Sequence, residues 1–480
     1  MSAPSIPPST VPPTVVSSTT PPTRTTTTRP PARPGPPPAF GMGGLSMRGA
    51  PAIHLPGEHF AAALFFLSVG ALGLVWIAPE LAAGLYLSPH VAGVVHFFTL
   101  GWLSMTIFGA MYQLLPVALG VSIRSERAGD VSFWAFAPGV ACFASGVAFS
   151  SLALRYVGIS LLTIGILCLV INVALTLPRV ANRDVIWAAI TIALSFLTLT
   201  LVLGVLLAEN MHMGFLGDAR IRIMATHLHV ALLGWVLVMI IGISHRLLPM
   251  FLLAHTASTK WTRRALTLLA PGVPILGCGI AGIHRIPHVP LTWIGLVLVE
   301  GGIACFLIQA RLFFKARKRP RLDTGLRHAA TALILLGATA VLAPFVLASG
   351  VTHRQLDTTY VALGLLGGLS LYVIGQFYKV VPFLAWMARF RDDMGKKPVP
   401  VVAQLYSQRV GHIDLALFIA AIVGITSGIA TGTTLLVRIA AILFVTGVAL
   451  FVSQMIRVAF GTSFGAAAKG PPVTTARAHP

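Results

Sequence analysis

Apolar residues run in blocks of about 20, separated by short polar stretches, from roughly Phe60 to Arg457. A block of that length is what an α-helix needs to cross a bilayer, where every backbone polar group must be satisfied within the helix. Twelve blocks can be marked out, at about 60–78, 90–119, 131–153, 156–178, 184–208, 224–253, 264–284, 290–314, 327–349, 358–388, 411–430 and 434–457. The pattern predicts an all-α, polytopic membrane protein with twelve transmembrane helices.

A second periodicity lies over the first. HFFTLGWLSMTIFGAMYQLLP from His96, HVALLGWVLVMIIGISHRLLP from His229 and ALGLLGGLSLYVIGQFYKVVP from Ala362 follow one another at an interval of 133 residues. Gly101, Gly234 and Gly367 align, as do Gly109, Gly242 and Gly375, and Pro116, Pro249 and Pro382. A fixed period means a repeated structural unit. Twelve spans over three copies predict four helices per repeat, over 58–190, 191–323 and 324–458, with the motif on the second helix of each. Residues 1–57 carry no acid, and 13 of the first 38 are proline. Such a Pro/Thr-rich segment cannot bury a core and is expected to be a disordered cytoplasmic tail, as is 459–480. It has no short apolar run after a charged start, so the first span itself is expected to direct insertion.

The net charge of +21 would suit nucleic acid if it were clustered on a soluble domain. It is instead sorted by loop. With the N-terminus inside, only Arg155, Arg220, Arg222, Arg285, Arg354 and Arg438 fall outside, leaving 28 of the 34 Lys and Arg on the inner face. That is the positive-inside bias, which predicts both termini in the cytoplasm of a plasma-membrane protein and excludes a nucleic-acid partner. Cys142, Cys168, Cys278 and Cys305 lie within spans without paired spacing and read as core residues.

Ionisable residues inside a span are costly and therefore informative. His96 on helix 2, and His227 and His229 on helix 6, stand at one depth near the outer leaflet; helix 10 has Tyr360 and Ala362 at the two corresponding positions. Residues i and i+2 lie about 200° apart on a helix, so His227 and His229 serve different flanks. Neutral imidazole is the commonest metal ligand, and haem iron takes axial histidines from facing helices. Gly101-Trp102 and Gly234-Trp235 suit a flat cofactor, the glycine by close approach and the indole as an apolar wall. These residues predict a haem b site centred on His96 and His229, with His227 beside it; the alternative is imidazoles hydrogen-bonded to neighbouring carbonyls. Met211-His212-Met213 near the outer face offers thioethers and an imidazole that suit copper(I). Glu300 stands alone in helix 8, either as a proton relay or as a protonated acid bonded across helices. His90, His284, His288 and His353 share the outer face. Tyr112, His245 and Tyr378, each followed by a polar residue, occupy one repeat position near the inner ends.

These residues resemble those of the heme–copper oxidase catalytic subunit, which also has twelve helices in three four-helix arcs. ATHLHVALLGWVLVMIIGISHRLLP is similar to the motif of short oxidase-subunit-I-like membrane proteins and of the nitric-oxide-response NnrS family. The resemblance implies that His96 matches the low-spin haem ligand of helix 2 and His229 the copper ligand of helix 6. The His227/His229 pair also imitates the H-x-H of the oxidase helix 10, so a relocated bis-histidine haem is a further assignment. Helix 10 here lacks histidine, and residues 264–284 hold only His284 where the oxidases place a copper-binding pair. The expectation is therefore a haem protein, with copper as a second metal, in electron transfer or nitric-oxide-related metabolism rather than a complete oxygen reductase. No CXXCH attachment or nucleotide loop is present, so an electron-donor protein would be its partner. A secondary transporter and a cofactor-less assembly subunit remain as alternatives. Large transporter families repeat as six plus six and break their helices at the midplane, whereas these motif helices read as continuous up to the proline.

Overall fold

The computed structural model describes residues 54–254, 258–282, 290–318, 320–350, 353–394 and 396–461. Twelve helices within them are long and apolar enough to cross a membrane. The first repeat holds α1 (His54–Trp76), α2 (Pro89–Gln113, helical on to Leu119), α3 (Glu126–Ala148) and α4 (Leu152–Arg179). The second holds α5 (Val185–Met213), α6 (Ala219–Leu252), α7 (Lys260–Ala281) and α8 (Leu291–Lys315). The third holds α9 (Thr324–Ser349), α10 (Arg354–Asp393), α11 (Gln408–Ala430) and α12 (Thr434–Phe460). The first helix begins at His54 and takes in the last four residues of the stretch expected to be tail, and α12 takes in the first two residues of the expected C-terminal tail. The remainder of both tails lies outside the described residues.

Polar residues at the span boundaries start the helices. Ser125 accepts a hydrogen bond from Ala128 N–H ahead of α3, Asp184 from Ile186 and Trp187 ahead of α5, and Asp323 from Leu326 ahead of α9. Each supplies an acceptor for a backbone donor that the first turn leaves unmatched. The three motif helices sit innermost: 67% of the most apolar windows of α2, α6 and α10 is buried, against 28% for α5 and α9 on the periphery. Side-chain hydrogen bonds tie the three together at the centre. Trp235 Nε1–H donates to Ser104 Oγ at 3.0 Å between α6 and α2, and Ser244 and Tyr372 hydroxyls meet at 2.5 Å between α6 and α10.

Inside each motif helix the hydrogen bonding shifts to the π pattern over eight residues, at Phe97–Ser104, Val230–Leu237 and Leu363–Ser370. The three stretches keep the 133-residue interval and begin at the residue after His96, His229 and Ala362. The motif helices are thus continuous in course but not in hydrogen-bond register. π turns occur mostly at functional sites. Here the turn persists in α10, where no histidine precedes it, so it belongs to the repeat and not to a ligand. Pro116, Pro249 and Pro382 lie within their helices and end none of them.

Candidate functional site

The N-terminal halves of the motif helices surround a cavity of about 560 Å³. That lies within the range of roughly 300–1,000 Å³ typical of small-molecule and cofactor sites. Its lining is mainly apolar, and His96, His227, His229, Tyr360 and Glu300 are among the few polar groups on it. The three imidazoles sit deep in the bundle yet keep accessible surface, because that surface faces the cavity.

Two of the rings are held alike. His96 Nδ1 lies 2.6 Å from Ala92 O, and His229 Nδ1 lies 2.8 Å from Ala225 O. Ala92 and Ala225 are themselves one repeat apart. A carbonyl oxygen can only accept, so Nδ1 must carry the proton in both rings and the lone pair falls on Nε2. This is the arrangement that orients a metal-ligating imidazole. His227 differs: its buried Nδ1 has no i−4 carbonyl clamp and meets only the Thr200 backbone of α5, without a well-formed hydrogen bond. Its Cε1 lies 3.2 Å from where a Cβ on Gly204 of α5 would stand. Only glycine leaves that room.

The expected divergence of His227 and His229 is present. His227 packs towards α5 and lies within electrostatic reach of His96. The His229 ring stacks on Tyr360 of α10, with centroids 6.1 Å apart and planes at 24°. The phenol in turn is within electrostatic reach of Glu300 on α8, which is half-buried on the cavity wall. His96 meets the edge of Phe143 at 5.1 Å.

Not every expected residue joins this site. Trp235 lines the cavity, but Gly101, Gly234 and Trp102 do not. A Cβ on Gly101 would stand 2.5 Å from Phe66 Cβ, and one on Gly234 would stand 2.5 Å from Phe196 Cγ. These glycines let the motif helix press against the helix before it, so the close approach expected for a cofactor is made to a phenylalanine. Trp102 is fully buried against Phe377 and Phe451. His212 lies in the last turn of α5, not in a loop, and is exposed; its neighbour Met211 reaches the cavity. His90 is bonded to Glu80 at 2.7 Å, His353 is exposed at the start of α10, and His284 and His288 lie outside the described residues.

A second polar cluster escaped the sequence reading. His328 of α9 and Asp414 of α11 are fully buried, with His328 Nε2 3.2 Å from Asp414 Oδ1. Tyr378 of α10 donates its hydroxyl to Asp414 Oδ2, and His328 Nδ1 lies 2.9 Å from Thr324 O. Asp414 carried the signal that could have found it, an acid inside an apolar span.

The donor set fits a haem better than a bare ion. Among the described residues no three of His, Cys, Asp or Glu are grouped to hold a metal. A porphyrin supplies its own in-plane nitrogens and asks the protein for one or two axial ones, in an apolar cavity of this size. Imidazoles with their Nδ1–H already committed meet that need.

Among solved structures, the chain is similar to a heme-copper terminal oxidase dimer determined by cryo-EM, with a TM-score of 0.60 at 11% identity over 85% of each chain. No family model and no curated protein matches the sequence. The chain therefore has the heme–copper oxidase subunit I-like fold: twelve transmembrane helices in three pseudo-symmetric four-helix repeats, in a multi-pass membrane protein. At this identity the likeness speaks for the fold, and the haem and copper in that description are those of the other protein.

Proposed function

We propose that this chain is an integral membrane protein that binds haem b without covalent attachment and serves electron transfer or nitric-oxide-related metabolism. It is not a complete oxygen reductase. The observation that carries this reading is the set of imidazoles on α2 and α6 around one apolar cavity of about 560 Å³. Haem, when bound, supplies one-electron chemistry. The residues of the chain hold it, keep water away and orient the imidazoles through the Ala92 and Ala225 carbonyls. Glu300 and Tyr360 are proton-bearing groups on the wall, which Asp357 and Tyr86 also line, and Glu300 acts as its relay. Tyr360 and Ala362 take the positions where the oxidases have histidines, and the described residues of α7 contain none, which removes a full oxygen-reducing ligand set.

Copper enters this proposal as a second metal near the outer face, where Met211 lines the cavity. The basic inner loops place both termini in the cytoplasm of a plasma-membrane protein, and electrons arrive from a separate donor protein. The test is a reduced-minus-oxidised absorption spectrum of detergent-purified protein, with iron and copper quantified on the same sample. Haem bands with stoichiometric iron support the reading. A colourless, metal-free preparation from haem-replete cells removes it and leaves the transporter or the cofactor-less scaffold.

A further inference from the structure

Repeat symmetry pairs His96 with His229, but the geometry points elsewhere. Resting on the haem reading above, we infer that His96 and His227, across α2 and α6, are the residues that would hold the haem, and that His229 would not.

Three observations carry the pairing. The first is register. The Trp235–Ser104 hydrogen bond clamps α6 to α2, and His96 and His227 each stand eight residues before their partner in that clamp. Two helices pinned at one point and followed outward for the same number of residues bring those two rings to one level, about two turns above the pin. His229 is six residues from the clamp, on the opposite flank of α6.

The second is what each ring faces. His229 is engaged with Tyr360 on α10, which leaves His227 as the α6 imidazole that faces α5 and the cavity it shares with His96. The third is room. The absence of a side chain at Gly204 leaves a recess against the His227 ring. The carbonyl clamp on His229 does not outweigh these. The same i−4 clamp holds His59 to Leu55 O and His328 to Thr324 O, and neither of those rings lines the cavity. The clamp sets a tautomer, while the cavity and the facing ring decide ligation.

The experiment compares the haem-to-protein ratio and the visible and electron-paramagnetic-resonance spectra of wild type, His96→Gly, His227→Gly and His229→Gly. Size-exclusion profile and helical circular dichroism confirm folding, and free imidazole is then added. Loss of an orienting partner alone costs a metal site about 10–100-fold. His96→Gly and His227→Gly should therefore lose haem by at least about 10-fold, or lose the low-spin signature, and recover it with imidazole. His229→Gly should keep haem content and signature. Loss in His229→Gly with retention in His227→Gly overturns the pairing in favour of His96 and His229. Gly204→Ala is the companion variant should the histidine variants fail to fold. Its methyl group meets the His227 ring, so shifted axial-ligand signals support the pairing and an unchanged spectrum overturns it. A wild type without haem fails the functional reading itself, and is told apart by the metal analysis of that sample alone.

Discussion

Two halves of the bundle hold buried histidines by the same local device and put them to different ends. In the half with the cavity, His96 and His229 donate Nδ1–H to the carbonyl four residues back and line that cavity. In the other half, His59 and His328 make the same bond, but neither ring lines the cavity. His59 is wrapped by Phe108, Tyr112 and Phe133, while His328 is met by Asp414. The imidazole alone does not make a ligand site. The cavity and the ring that faces it across that space do.

Removing the acid beside His328 should have the largest effect. Asp414→Ala strands His328 and the Tyr378 hydroxyl in a fully buried position. Breaking such a pair from one side typically costs about 3–5 kcal/mol. Thermal unfolding in detergent measures it, and a loss below about 1 kcal/mol would show that Asp414 does not hold this cluster together.

Next comes the helix contact that the sequence assigned to a cofactor. Gly101→Ala drives a methyl group into Phe66 and should cost about 1–3 kcal/mol by overpacking, with the haem bands unmoved. If the bands move while stability holds, Gly101 belongs to the site after all. Ser104→Ala takes the acceptor from the Trp235 indole. It should cost about 1 kcal/mol, as hydrogen bonds between membrane helices do, and should also loosen the spacing of α2 and α6. A broadened low-spin signal is the readout. His212→Ala is expected to do least. The residue is exposed, so stability should change by no more than about 0.5 kcal/mol, and haem should be retained. Loss of copper from this variant would establish a metal at the outer end of α5.

Much of this was legible because a membrane makes sequence patterns strict. Apolar runs had to be helices, and a 133-residue period had to be a repeated unit. The depth of His96, His227 and His229 followed from counting residues from the span ends, and their opposite flanks on α6 from helical geometry. The reading failed where partners come from distant sequence. Gly101 and Gly234 looked like cofactor contacts because nothing local reveals the phenylalanines of α1 and α5 that fill the space beside them. His328 and Asp414 are 86 residues apart, and no periodicity joins them. The π turns left no mark either, since eight apolar residues satisfy an i+5 ladder as readily as an i+4 one.

The sequence by itself thus determined the number of helices, their threefold repetition and the level at which imidazoles enter the membrane, because burial energetics and helical geometry act along the chain. Only the tertiary structure decided which of those imidazoles face a cavity and which neighbour each one meets. Those are properties of the space between helices, and that space is shaped by side chains far apart in the chain.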